Sequence, residues 1–297
     1  MAEVERPRSR GVAIQGIRRR IRPWIPDTLA GIPWKILQRF RAAAFRPRVV
    51  THRYCGHPLS LHIADPTASD WYDRDWNDVP ELALLRRTAL RPGGVVFNVG
   101  AHQCVYALIF AAEVGTTGKV VAVEAHPHNV AVARRNRELN EAKTLEIVHA
   151  AAMDRSGTVQ FSDRFNGQIQ LSGGMRVPAV TVDALSQRHG LPDLLFIDVE
   201  GAECMVLRGA SETLQRWPDC LVEVHVGLGL EKLGGSVKEV LSFFPPSQYD
   251  VRISGESPRS FRPPESDDPL FRDRFFLLAV RKSPVGAGGP ATGPLAC

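Results

Sequence analysis

The sequence predicts a doubly wound α/β domain built on a mainly parallel, seven-stranded sheet. Three observations carry that expectation. Between residues 92 and 281, seven strand-like runs alternate with helical stretches, the pattern of βαβ units. Several of those runs are apolar throughout, as strands covered on both faces are. The chain has 297 residues, 44% hydrophobic and 23% charged, enough for one such domain with extensions. No apolar run approaches the roughly 20 residues that a membrane-spanning helix needs.

Taken in order, residues 1–50 read as a basic arm. They hold 12 basic and 3 acidic residues, a net of +9, which leaves −4 for the remainder of a chain whose formal charge is +5. Trp24, Ile25, Leu29, Trp34 and Phe40 alternate there with Arg20, Arg22, Lys35 and Arg39. The expectation is a helix packed with its arginines toward water. A weak contact with an anionic membrane surface is the alternative, and specific nucleic-acid binding is not expected. Residues 51–91 form a lead-in. RYCGHPLSLHIAD alternates like a strand or hairpin, and Trp71, Tyr72 and Trp76 sit among Asp70, Asp73, Asp75 and Asp78 as a candidate wall or lid of a site. A helix then opens at Pro80, where a missing N–H costs nothing.

Residues 92–282 carry the main domain. GGVVFNVG reads as its first strand, Val105–Val114 as an apolar helix, GKVVAVEA as the second strand and Pro127–Asn140 as a polar-faced helix. TLEIVHA follows as the third strand, then a Gly/Ser-rich loop over 166–174, then PDLLFIDVEG as the fourth. A helix over 202–215, the strand CLVEVHV, a helix over 237–244 and the strands YDVRISG and RFFLLAVRK complete the series. Residues 283–297, rich in Gly, Pro and Ala, are expected to be a disordered tail. The five cysteines show no CxxC spacing and the N-terminus lacks a signal core. A cytoplasmic location is expected, with peripheral contact of the arm to the inner membrane face as the alternative.

Chemistry in such folds gathers outside the carboxyl ends of the strands. The first strand ends at Asn98-Val99-Gly100-Ala101-His102, where Gly100 allows a sharp turn, and the second ends at Glu124, an acid suited to ribose hydroxyls. The fourth runs into Asp198, Glu200 and Glu203, a concentration of charge that needs a cation, a donor or a catalytic task to offset it. On the fifth, Glu223 and His225 lie two residues apart on one face, so His225 is expected to be a general base oriented by Glu223, with Asp198 second in line. A divalent cation gathered by Asp198, Glu200 and Glu223 is the competing expectation; the residues fix no ligand count, and no metal is assigned. A nicotinamide site is disfavoured because GAHQC lacks the later glycines of GxGxxG.

NVGAHQCVYALIFA, VVAVEAHPHN, VAVARRNRELN, AAMDRSGTVQF, VPAVTVDAL, LLFIDVEGAECMVLRGASETL and LVEVH, taken together, resemble successive blocks of the FkbM family of S-adenosylmethionine-dependent methyltransferases. The resemblance covers about residues 52–281. It implies a Rossmann-like class I methyltransferase fold with an antiparallel last strand. S-adenosylmethionine would be held by Asn98, Gly100, Ala101, His102, Glu124, Asp154 and Asp198, with Asp154 beside the adenine amino group and Asp198 facing the transferred methyl. It also implies O-methylation of a hydroxyl on a sugar, glycan or secondary metabolite, a small-molecule or glycan partner. Two positions depart from the family pattern: Asn98 stands where Asp is usual, and Cys104 where Gly is usual. Each is expected to weaken the hold on the cofactor, and a chain that binds without catalysing is the rival reading.

Overall fold

The computed structural model describes residues 41–282 apart from 78, 163–166, 171 and 257–258. The chain divides into two compact units, Met1–Arg46 and Pro47–Cys297. Of the first, residues 41–44 are helical; the amphipathic stretch expected from Trp24 to Phe40 lies outside the described residues, as does the 283–297 tail. Among the described residues no helix is long and apolar enough to cross a membrane.

The second unit opens with an antiparallel hairpin, β1 (Arg48–Tyr54) and β2 (His57–Ile63), so the first three residues of β1 fall inside the range read as the arm. Helix α1 (Pro66–Tyr72) is capped by Asp65, whose Oδ1 accepts from Ala68 N at 2.9 Å, and α2 (Pro80–Leu85) carries proline in its first turn. The main run follows: β3 (Val95–Val99), α3 (Val105–Val114), β4 (Lys119–Glu124), α4 (Pro127–Leu139) and β5 (Leu145–His149). Helix α3 is apolar all round because it lies between β3 and β4 on one side and β2 on the other.

Next come four strands that the sequence reading did not foresee. They are β6 (Ala151–Ala152), β7 (Gly157–Phe161), β8 (Ile169–Gln170) and β9 (Met175–Val180), joined in a separate sheet of order β6-β9-β7-β8. Helix α5 (Val182–His189), capped by Thr181, leads to β10 (Leu194–Ile197). The single helix expected over 202–215 is instead α6 (Glu203–Arg208) and α7 (Ser211–Leu214). The break falls at Gly209, which lies so close to the next layer that a Cβ there would meet the Met153 carbonyl oxygen at 2.0 Å. Then follow β11 (Asp219–Val224), α8 (Val237–Ser242), β12 (Tyr249–Ser254) and β13 (Phe275–Arg281).

The seven-stranded sheet has the order β12-β13-β11-β10-β3-β4-β5, with only β13 antiparallel to its neighbours. This is the sheet the sequence led us to expect. Phe97, Val121, Leu195, Val222 and Leu277 are wholly buried along it and join one core cluster; losing a ring such as Phe97 would cost about 3–5 kcal/mol. From β3 the chain runs outward to β4 and β5, then returns to β10 and β11 on the other side. The resulting switch point lies between β3 and β10, where a crevice opens outside the strand ends.

Side chains of α4 hold the hairpin against this frame. Asn136 Oδ1 accepts from His62 N at 2.7 Å, while Asn140 accepts from Ser60 N at 2.9 Å and donates to Ser60 O at 2.7 Å. Asp65 Oδ2 takes Gln103 Nε2 at 2.6 Å and pairs with His128 Nε2 at 3.0 Å. The start of α1 is thereby tied to the turn after β3 and to α4, which fixes where α1 delivers Trp71 and Tyr72.

Candidate active site

A cleft of about 360 Å³ opens at the switch point, within the size range of ligand sites. Asn98, Gly100, Ala101 and His102 enter it from the end of β3, Glu124 and Ala125 from β4, and Ala150 to Ala152 from the end of β5. Asp198, Val199 and Glu200 follow β10, and Glu223 ends β11. Trp71, Tyr72 and Trp76 stand at the wall from the lead-in segment, with Arg259 and Arg274 from the stretch between β12 and β13.

The turn after β3 is tight. Gly100 has φ +83, and a Cβ there would lie 1.7 Å from the Asp198 carbonyl oxygen, so only glycine lets the ends of β3 and β10 approach this closely. His102 and Cys104 also take left-handed backbone angles, φ 49 and 66. Glu124 anchors this loop: its Oε2 accepts from His102 N and its Oε1 from His126 N, both at 2.8 Å. Burial pushes the Glu124 carboxyl upward in pKa against the pull of those N–H donors. Asn98 lines the cleft yet is only 1% exposed, and its buried Oδ1 has no hydrogen-bond partner. An unpaired buried acceptor costs about 1–3 kcal/mol, which a ligand donor would relieve.

His102 Nδ1 lies 2.8 Å from the Tyr72 hydroxyl, and its ring stacks at an angle 5.3 Å from Trp71. Burial drives its pKa down to about 4, so the imidazole is neutral. Trp76, Tyr106 and Phe196 continue the aromatic wall, with centroid separations of 5.6 and 5.1 Å. Arg259 sits over the Phe276 ring at 4.1 Å and pairs with Glu81 of α2.

The acidic end of the cleft differs from expectation. His225 is wholly buried and is not part of the cleft lining. Its Nδ1 lies 2.7 Å from Glu203 Oε1, not from Glu223, and the same oxygen accepts from Gly201 N at 2.9 Å. Burial alone would lower the pKa of the ring; the Glu203 hydrogen bond and the charges of Glu200, Glu203 and Asp198 outweigh it and raise the value to about 9. The expected arrangement, His225 oriented by Glu223 and facing the acceptor, is corrected: Glu203 holds the ring, and the ring does not line the cleft. Glu223 does line the cleft, 3.2 Å from Arg274 Nη1. Asp198 is raised well above the usual carboxylate range, first by burial and then by the charge of Glu223.

Asp154, expected on the adenine side, lies just beyond the lining residues Ala150 to Ala152, with its carboxylate 3.9 Å from Arg155 Nε. Phe161 and Ile169 also line the cleft. Cys104 is buried and also absent from the lining, so its thiol does not fill the hollow. Sequence reasoning missed Tyr106, Arg259 and Arg274, which reach the cleft from isolated positions with no local pattern. It noted Glu203 only as one of three neighbouring acids, although the spacing DVEGAE with a strand-end His was the available signal.

A family model described as the methyltransferase FkbM domain matches residues 98–252. Among curated proteins, hexuronic acid methyltransferase AglP of Haloferax volcanii is 24% identical over 165 residues, covering 53% of this chain and 67% of that protein. Among solved structures, the methyltransferase FkbM of Methylobacillus flagellatus is 17% identical with a TM-score of 0.41 over 62% of this chain. That match spans only 43% of the Methylobacillus chain. A SAM-dependent O-methyltransferase of Thermotoga maritima is 15% identical with a TM-score of 0.38, covering 80% of this chain and 78% of that one.

Proposed function

The chain belongs to the FkbM methyltransferase family, a methyltransferase on a class I, Rossmann-like sheet, and on that premise we propose that it transfers a methyl group from S-adenosylmethionine to a hydroxyl of a sugar or similar polyhydroxylated acceptor. One observation carries the reading: a single cleft joins an unpartnered Asn98 Oδ1 and the Glu124 carboxylate to the acids Asp198 and Glu223. The residues fit the cofactor. Asn98 Oδ1 is an acceptor for its ammonium group and Glu124 for its ribose hydroxyls, while Gly100 lets the ends of β3 and β10 come together beside them. When bound, the cofactor supplies an electrophilic methyl on a sulfonium that leaves as a neutral thioether.

The chain's own work is then orientation and proton removal. Holding an acceptor oxygen in line with the methyl can supply about 7–11 kcal/mol of the barrier. The neutral His102 imidazole adds no like charge beside a cationic ligand. The hydroxyl proton passes to a carboxylate of the acidic end, and Asp198 and Glu223 are the two that line the cleft with pKa values raised toward the working range. The flat faces of Trp71, Tyr72 and Trp76 suit the C–H face of a sugar ring. The curated relative acts on a hexuronic acid by name, and Arg259 and Arg274 are the cations on the wall that would meet an acceptor carboxylate.

Cys104 lies off the cleft, so the rival reading of a binding protein without catalysis rests on Asn98 alone. Calorimetry with S-adenosylhomocysteine, followed by transfer of labelled methyl from S-adenosylmethionine to a panel of sugars and sugar acids, tests the proposal. Binding with transfer to at least one acceptor is the expected result. Absence of binding heat would overturn it.

A further inference from the structure

His225 presents an unmet valence. The 2.7 Å contact between its Nδ1 and Glu203 Oε1 sets that nitrogen as the donor and turns Nε2 toward the cleft acids. Nε2 is buried and has no hydrogen-bond partner. Around it stand Glu200 Oε2 at 3.5 Å, Asp198 Oδ1 at 3.7 Å and Glu223 Oε1 at 3.8 Å. These separations are longer than the ~2.7–3.2 Å of a hydrogen bond. They are those of atoms sharing one ion: ligands about 2.1 Å from a common centre lie roughly 3.0–4.2 Å apart, depending on the angle between them. Donor atoms of Asp198, Glu200 and His225 all lie within 4.8 Å of one another.

We infer that Asp198, Glu200 and His225 Nε2 form a binding site for a divalent transition-metal ion, open toward the acceptor side of the cleft. A carboxylate that hydrogen-bonds the far nitrogen of a ligating histidine is a recurrent support for such sites, and Glu203 occupies that place. Glu223 stands outside the ligand set because Arg274 Nη1 engages it at 3.2 Å. One imidazole with two carboxylates favours Mn²⁺ or Zn²⁺ over Ca²⁺, which takes oxygen ligands alone. Asp198 and Glu200 line the cleft, so the ion's remaining positions face substrate.

The use of the ion rests on the proposed function. It would hold the acceptor hydroxyl and lower its pKa. The O–H bond breaks with its proton going to Glu223. The new O–CH₃ bond forms as the C–S bond breaks, its electron pair staying on sulfur. The choice between Asp198 and Glu223 as proton acceptor is thereby settled toward Glu223, with Asp198 a ligand.

The test uses the full chain, stripped with a chelator. Mn²⁺ is titrated and followed by the loss of its free-ion electron paramagnetic resonance signal. The expected result is one bound ion per chain, weakened at least tenfold by Glu200→Gln and by Asp198→Asn, and little changed by Asp250→Asn on the opposite, amino end of the sheet. His225→Gln should act in the same direction, and the two carboxylate variants keep the test valid if that buried substitution does not fold. No loss of the free signal at a hundred micromolar chain and ion, or binding indifferent to Glu200→Gln and Asp198→Asn, would overturn the inference. Calorimetry with S-adenosylhomocysteine on the same samples separates the outcomes: a failure there sinks the methyltransferase reading, whereas a failure with Mn²⁺ alone sinks only the metal site.

Discussion

Replacing Gly100 by alanine tests the closest approach in the site. The added Cβ would sit 1.7 Å from the Asp198 carbonyl oxygen, where real contacts begin at 3.0 Å, so the end of β10 must retreat by more than about 1 Å. Two costs combine. Holding a non-glycine residue at φ +83 costs about 1–3 kcal/mol. Displacing a backbone carbonyl within a packed strand end costs about 1–3 kcal/mol more. The expected loss of stability is therefore roughly 2–6 kcal/mol, read as a lower urea midpoint. Gly115→Ala is the control: its φ is +67 but nothing lies within 4 Å of the new Cβ, so only the dihedral cost applies. The functional arm is steeper, because Asp198 moves with its carbonyl and a 1 Å misplacement can cost about 10²-fold in turnover. If Gly100→Ala destabilises no more than Gly115→Ala and keeps its turnover, the claim that β3 and β10 are packed to contact here is wrong.

Asp198→Asn should abolish methyl transfer while leaving S-adenosylhomocysteine affinity within a few-fold, as calorimetry and a turnover assay on the same preparation will report. Glu124→Gln should weaken the same ligand by about 10–100-fold, the worth of hydrogen bonds to a charged group, with turnover recovered in part at high cofactor concentration. His102 gives a pH prediction. Its folded pKa near 4 lies below the ordinary 6.5, so the unfolded ring takes up a proton first as pH falls. Stability is full above about 6.5 and declines toward 4, and the slope should flatten in His102→Gln; an unchanged slope in urea melts across that range would refute the assignment. Asp65, His126, His128, Tyr72 and Glu124 surround the ring, so the comparison is between variants rather than absolute curves. Trp71→Ala should raise the KM for the acceptor at least several-fold and leave that for the cofactor unchanged; equal shifts in both would move Trp71 off the acceptor wall.

The parts of the fold that could be read from sequence share a physical cause. β3, β4 and β10 are buried on both faces and appear as unbroken apolar runs, while Pro80 and Pro127 mark helix starts by their missing N–H. The second sheet escaped because β7 and β9 are partly exposed and so lack an unbroken apolar run, and β6 and β8 have two residues each. The same holds at the site. Gly100, Glu124 and Asp198 stand at the carboxyl ends of legible strands, so their convergence follows from topology. The partner of His225 could not be read in that way. Glu223 is nearer in sequence, but the turn at Gly201 swings Glu203 beneath the ring, and that turn exists because Gly201 and Gly229 abut with no room for a Cβ. Arg259 and Arg274 reach the cleft from the stretch between β12 and β13, where single residues carry no pattern.

The two sides of the cleft have different genealogies within the chain. Within residues 98 to 152 the lining comes from the ends of β3, β4 and β5 and the turns that follow them, whereas Trp71 and Trp76 enter from before the sheet and Arg259 and Arg274 from near its end. Loops at such extremities can lengthen, shorten or be exchanged without disturbing the inner strands. A lineage built on this plan is free to try new acceptors by rewriting its margins, keeping the methyl-donor machinery as an inherited constant.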